Sequence, residues 1–231
     1  MIRLKGVSFS YDGQRPVLSG MDHAICAGLT LLVGPNGCGK STLSKLVGGI
    51  ERPDAGVVEV NGHDLWKQEV AARVGLAYVP EHPDLSPYAT VSEILRLVCA
   101  LRGEPRSAAD EALDRVGLGS CRSRSVRELS AGQRRRVTVA AARIGRTQTL
   151  ILDEPLETLD RAMRDDVLAW VAEKRRSESV VLVVTHEVEP FLAQADAVFS
   201  IKEGRVVAAG PLPDDAAGRL AMVDRLARGV D

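Results

Sequence analysis

Apolar and polar positions alternate with a two-residue period from Ile2 to Tyr11, which predicts a half-buried strand ended by the turn Asp12-Gly13. Val17 to Cys26 is expected to pair with it antiparallel. Leu29-Thr-Leu-Leu-Val33 is nearly all apolar, the pattern of a buried strand, and Leu43, Leu46 and Val47 follow at helical spacing. Val57-Val-Glu-Val60 is a short strand, and Asn61-Gly62 after it is a strong hairpin dipeptide. Val74 to Val79 is another buried strand, closed by Pro80. Beyond it the period lengthens. Val91, Ile94, Leu95 and Val98 recur at helical spacing over Val91 to Leu101, with Thr90 or Ser92 as the cap, and Ser107 to Val116 continues the helical character. Val137, Ala140, Ala141 and Ile144 form an apolar stripe on a helix from Arg134 to Gly145. Strands return at Thr149 to Leu152 and Val180 to Val184, separated by an amphipathic helix from Arg161 to Arg176. Ala197 to Ile201 and Arg205 to Ala208 read as a terminal hairpin, followed by a short helix.

This order predicts an α/β fold: a mostly parallel sheet core with an N-terminal antiparallel β-subdomain and an inserted helical lobe. The economical reading is one domain over 1–231, with a core lobe of 1–82 and 149–231 and a helical lobe of 83–148. Composition narrows the function classes. Lys+Arg 30 against Asp+Glu 31 leaves a net charge of −1, so no overall field argues for nucleic acid or an anionic membrane surface. Cys26, Cys38, Cys99 and Cys121 are scattered and form no zinc-ligand pattern, which suits a reduced, cytoplasmic compartment. The first residues lack the apolar core of a signal peptide, and no run approaches the roughly 20 apolar residues of a membrane helix. Work at a membrane would need another chain to cross it.

Three motifs carry the chemistry. The octet Gly34-Pro-Asn-Gly-Cys-Gly-Lys-Ser41 lies between a predicted strand and a predicted helix, the context required of a phosphate-binding P-loop. Its glycines turn backbone N–H groups inward, the helix terminus adds positive character, Lys40 contributes a full charge, and Ser41 offers an oxygen to magnesium. Leu150-Ile-Leu-Asp153-Glu154-Pro155 is an apolar strand ending in two carboxylates at the sheet edge where α/β proteins bind ligands. Asp153 is placed to hold magnesium and Glu154 to act as general base on the attacking water. Alone, such a pair is as readily an exposed strand end; beside a complete P-loop it is not. In Leu129-Ser130-Ala131-Gly132-Gln133, Ser130 and Gly132 sit at a helix N-terminus, an anion site that by itself is also an ordinary cap.

These motifs, in this order and at these separations, closely resemble the ATP-binding cassette (ABC) ATPases, and the resemblance runs through almost the whole chain. It implies a P-loop NTPase fold, with ATP and Mg2+ as cofactors and two chains clasping each nucleotide. It assigns nucleotide contacts to Gly34, Pro35, Asn36, Gly37, Cys38, Gly39, Lys40, Ser41 and Thr42, and stacking on adenine to Tyr11. Ser130, Ala131, Gly132 and Gln133 would contact the second chain's nucleotide, and Leu159-Asp160 would cross the dimer interface. Catalysis falls to Glu154, Lys40 and His186, the last hydrogen-bonding the γ-phosphate; metal binding falls to Ser41, Asp153 and Glu81.

Arg136 matches the arginine following the signature, whereas Arg134 and Arg135 read as a solvated polar face. Two departures stand out. Ala131 replaces the signature's usual glycine, and Glu81 stands where the family usually has glutamine, adding negative charge near the phosphates. The implied function is the ATPase subunit of a transporter, peripheral on the inner face of the membrane and attached to transmembrane subunits. Leu85, Tyr88, Ile94 and Leu95 are candidates for that attachment, Ile94 and Leu95 reading better as core. The segment around Tyr78-Val-Pro-Glu81 hints at export. A soluble ATPase for protein-complex assembly, such as iron–sulfur cluster assembly, is the alternative.

Overall fold

The computed structural model describes residues 1–208 and 212–228; the remainder of the expected 1–231 cassette, residues 209–211 and 229–231, lies outside the described residues. β1 (Ile2–Phe9) pairs antiparallel with β2 (Leu18–Ile25) and with β4 (Ala55–Val60). Between these lie β3 (Gly28–Val33) and α1 (Lys40–Val47). Asn61 and Gly62, both at positive φ (54° and 84°), turn β4 back onto β5 (His63–Asp64), as the dipeptide requires. The result is a four-stranded antiparallel sheet in the order β2-β1-β4-β5.

After α2 (Glu69–Arg73), which the hydrophobic pattern did not reveal, comes β6 (Leu76–Val79). Three helices follow before the chain returns to the sheet: α3 (Val91–Arg102), α4 (Ser107–Arg115) and α5 (Ala131–Arg143). Thr90 caps α3 in a reciprocal box with Glu93, so of the two expected caps Ser92 lies inside the helix. β7 (Thr149–Asp153), α6 (Arg161–Arg176), β8 (Val180–Val184), the single turn α7 (Glu189–Leu192), the hairpin of β9 (Ala197–Lys202) and β10 (Arg205–Ala208), and α8 (Ala216–Ala227) complete the fold.

The second sheet runs β10-β9-β3-β8-β7-β6 and is parallel except at its β10 edge. Every residue of β7 and β8 is buried, which explains their unbroken apolar runs. Each aliphatic side chain so removed from water contributes about 1.5–3 kcal/mol before conformational entropy is counted. One apolar cluster joins the helical side of this sheet to α3, α4 and α5; a second fills the space between the two sheets and includes α1 residues Leu43, Leu46 and Val47. The carboxyl ends of β3, β6, β7 and β8 therefore converge on one edge, held from both sides.

Candidate functional site

At the carboxyl end of β3 the chain turns through Gly34, Gly37 and Gly39, with φ of 141°, 79° and 108°, before α1 begins at Lys40. A Cβ on Gly39 would stand 2.9 Å from Leu18 Cδ2, so both backbone and packing require glycine there. Lys40 is buried, and its Nζ donates to the carbonyls of Gly34 at 2.8 Å and Pro35 at 3.0 Å. The loop opens on a cleft of about 700 Å³ lined by Asn36, Gly37, Gly39, Lys40, Ser41 and Thr42 on one side and by Glu81, Glu154, Glu157 and His186 on the other. Tyr11 stands at its mouth, 59% exposed, edge-on to Phe9 and with its hydroxyl 3.3 Å from Thr42 Oγ1. Pro35 is exposed on the same loop, and the Cys38 sulfur is partly buried beneath Gly34.

The end of β7 brings the acids in. Asp153 is buried, and its Oδ2 accepts from the Ser44 hydroxyl at 2.6 Å, while its Oδ1 is buried without a hydrogen-bond partner. Burial pushes its carboxyl above the usual aspartate range, against the Ser44 hydrogen bond. Glu154 leaves the strand at φ 45°, an uncommon conformation for a residue with a side chain. Its carboxylate accepts from the Thr185 hydroxyl at 3.0 Å and the His186 amide at 3.1 Å, and His186 Nδ1 lies 3.0 Å from Oε1. This hydrogen bond and the carboxylate's charge raise the exposed His186 imidazole above its ordinary value.

A correction concerns Arg135. Far from belonging to a solvated face, it is only 2% exposed, and its guanidinium reaches back from α5 to the backbone of both strand ends. It donates to the carbonyls of Asp153 and Glu154, each at 2.6 Å, to that of Glu81 at 3.2 Å, and to that of Pro80. Arg134 is half-buried and holds the Leu129 carbonyl at 2.8 Å. Thr185, Ser44, Glu157 and Arg135 are the site neighbours that motif reading missed.

The signature residues lie elsewhere. Ser130 caps α5 in a reciprocal box with Gln133. Ser130, Gly132 and Gln133 line a second, shallow cleft of about 360 Å³ together with Thr158, Asp160 and Arg136. Gly132 lies so close to the Thr158 carbonyl that a Cβ would stand 2.8 Å from its oxygen. Ala131 is exposed as the first residue of the helix, where a methyl group is accommodated. Asp160 caps α6 through the Met163 amide at 3.0 Å and is ion-paired with Arg136.

A glycine loop holding a buried lysine against a carboxylate-bearing strand end defines a P-loop NTPase. Within that class the chain belongs to the ABC transporter family, whose model matches residues 23–157 and so spans all three motifs. It is 37% identical over 222 residues to the thiamine import ATP-binding protein ThiQ of Mesorhizobium japonicum, covering 94% of this chain and 87% of that one. It is 36% identical over 219 residues to the aliphatic sulfonates import ATP-binding protein SsuB 1 of Burkholderia lata, covering 93% of this chain and 65% of that one. The chain spans between 21% and 65% of the length of four of the curated relatives it matches. Among solved structures, an ATP-binding subunit of an ABC transporter superposes with a TM-score of 0.85 at 27% identity, covering 98% of this chain and 97% of that one. The P-loop NTPase fold read from the motifs is thus the observed one.

The family's magnesium ion fits the donors present. Asp153 Oδ1 is a buried carboxylate oxygen with a free lone pair, and Ser41 and Glu81 stand nearby in the site. Three carboxylates, of Glu81, Glu154 and Glu157, line the cleft with the ammonium of Lys40, while the Asp153 carboxylate and the Arg135 guanidinium lie buried within reach of their charges. A polyphosphate entering such a site needs a divalent cation beside it.

Proposed function

We propose that this chain binds and hydrolyses Mg-ATP as the ATPase subunit of a membrane transporter, each nucleotide clasped between the P-loop cleft of one chain and the signature cleft of another. The observation that carries this reading is the separation of the two clefts, which share no lining residue: the P-loop residues line one and the signature residues Ser130, Gly132 and Gln133 line the other. A second ATPase subunit, a copy or a homologue, completes each site. Gly34, Pro35, Asn36, Gly37, Cys38, Gly39, Lys40, Ser41 and Thr42 hold the phosphates, with Tyr11 against the base. Ser41, Asp153 and Glu81 hold the magnesium ion, which when bound neutralises β- and γ-phosphate charge.

Glu154 takes the proton of the attacking water. Its carboxylate is oriented by Thr185 and the His186 amide, and the His186 side chain is released from Oε1 to the γ-phosphate. Lys40 leaves the carbonyls of Gly34 and Pro35 for phosphate oxygens. Ser130, Ala131, Gly132 and Gln133 of the second chain approach the same phosphate from the other side, at the positive end of α5, with Asp160 at the interface.

Membership of the ABC transporter family supports attachment to transmembrane subunits, and no described helix is itself long and apolar enough to cross a membrane. Tyr88 at 77% exposed is the strongest contact residue of the four expected; Leu95 is fully buried, and Leu85 packs against the core. Leu97 and Leu101 on α3, 60% and 78% exposed, are further apolar candidates for such a contact. The protein would then lie peripherally on the cytoplasmic side of the membrane. The names of the relatives, thiamine and sulfonate import proteins among them, favour import over the export hinted at around Tyr78-Val-Pro-Glu81. Import is therefore the preferred direction.

The test is nucleotide-dependent association of the Glu154→Gln protein, measured by light scattering with and without ATP. A dimer that forms only with ATP, together with wild-type ATP turnover, supports the reading. Full turnover by a strictly monomeric chain overturns it, and co-purification with soluble scaffold proteins instead of a membrane protein favours the assembly ATPase.

A further inference from the structure

Arg135 presents a physical problem that the ATP chemistry above leaves unused. A guanidinium that is 2% exposed has lost nearly all its water, yet no carboxylate pairs with it directly; its two Nη groups are satisfied by four backbone carbonyls. Those carbonyls belong to Pro80 and Glu81, just beyond β6, and to Asp153 and Glu154, at the end of β7. Three of the four residues carry the carboxylates of the candidate site.

The geometry is specific. Successive carbonyls of a regular strand point to opposite sides, so one guanidinium reaches both Asp153 and Glu154 only because Glu154 turns at φ 45°. The planar fork of arginine can hold two carbonyls on each of two nitrogens; an ammonium has three donors and no such plane. Burial lowers the affinity of the guanidinium for its proton, and the charges of Asp153, Glu157, Glu81 and Glu154 oppose that shift, which places the buried cation in the field of the acid cluster.

We propose that Arg135 is a positioning residue: it ties the segment after β6 to the end of β7, so that the Glu81 and Glu154 carboxylates flank one point, and it links that point to the signature helix. Ser130 and Arg135 stand five residues apart on one rigid helix, about 7.5 Å along its axis. A movement of the signature on engaging a second chain's nucleotide is therefore delivered to the chain's own Glu81 and Glu154. The sign of the arrangement also accounts for Glu81: a carboxylate is tolerated at this edge because a cation is buried beneath its backbone. The proposal rests on the ATPase reading above.

The test compares wild type with Arg135→Gln, Arg135→Lys, Glu81→Gln and the Arg135→Gln/Glu81→Gln double variant. Backbone amide hydrogen exchange, read without nucleotide or metal, is expected to accelerate about tenfold or more in Arg135→Gln at Val79, in the ladder of β6 with β7, and at Glu154, whose amide donates to the Val184 carbonyl, with the amides of β3 and β8 unchanged. Arg135→Lys, which keeps the charge and the stem, covers the case in which Arg135→Gln does not fold, and is expected to show the same local acceleration at smaller amplitude. In turnover, Arg135→Gln is expected to lower kcat about tenfold with KM for ATP within about threefold, the signature of lost alignment. In the Glu81→Gln background the same change is expected to cost less than about threefold, because the two residues act through one element. Unchanged exchange at Val79 and Glu154 in both Arg135 variants overturns the tie. Penalties on kcat that multiply independently overturn the action through Glu81. A wild-type chain that fails to turn over ATP defeats the ATPase reading, while the exchange measurement still decides the tie.

Discussion

The two clefts of this molecule are built from opposite materials. The P-loop cleft lies at the carboxyl edge of a parallel sheet, is about twice the volume of the other, and gathers Glu81, Glu154, Glu157 and His186 around a buried lysine. The signature cleft lies at the N-terminus of α5 and offers hydroxyl, amide and backbone donors, with its one arginine already neutralised by Asp160. The first can do acid–base chemistry but is rich in negative charge. The second presents the positive end of a helix, and its one carboxylate, Asp160, is already paired with Arg136. On the proposed reading each supplies what the other lacks, and hydrolysis requires the two together.

The largest expected effect comes from breaking the chemistry of the first cleft. Glu154→Gln removes the base while keeping size and hydrogen-bonding shape, and turnover is expected to fall by about a hundredfold or more with ATP still bound. Near-normal turnover would move the base elsewhere. Lys40→Ala removes an ammonium that, among the described residues, has no second in that cleft, and ATP affinity, measured with a fluorescent analogue, is expected to weaken by about tenfold or more, since charge-assisted hydrogen bonds of this kind carry about 1.5–3 kcal/mol each.

The second cleft responds differently. Gly132→Ala places a Cβ 2.8 Å from the Thr158 carbonyl oxygen, so the start of α5 must shift. ATP-induced association is expected to weaken by roughly severalfold while nucleotide affinity of the isolated chain stays unchanged. Loss of affinity in the monomer would show that the two clefts are not independent. The smallest effect is the titration of His186. Its pKa lies above the ordinary 6.5, so the contact with Glu154 is fully present below 6.5 and fades as pH rises through the raised value. An NMR titration of the imidazole in Glu154→Gln is expected to return it toward the ordinary value.

Much of this was legible in the chain because the relevant signals are local. A strand-to-helix turn with glycines at fixed spacing, an apolar strand ending in two acids, and the amphipathic helix Arg161–Arg176 all follow from neighbouring residues. Arg135 was hidden because it reads together with Arg134 as one polar face, although neighbouring residues of a helix stand about 100° apart around its axis. Its burial had a signal: Arg135, Thr138, Val139 and Ala142 fall at i, i+3, i+4 and i+7, and all four are buried. Helix α5 thus carries a second inward stripe beside that of Val137 and Ala140. Thr185 and Ser44 were illegible for another reason. Their partners, Glu154 and Asp153, stand 31 and 109 residues away, and only the sheet order brings them together.

Lys40 has a consequence for how a nucleotide enters. Its ammonium rests on two neutral carbonyls, although carboxylates line the same cleft. A lysine locked to Glu154 would leave a self-quenched site that an incoming anion must pry apart. Neutral acceptors release an ammonium more readily than carboxylates do. On the proposed reading, nucleotide arrival would be a ligand exchange at nitrogen, with phosphate oxygens replacing the loop's own carbonyls.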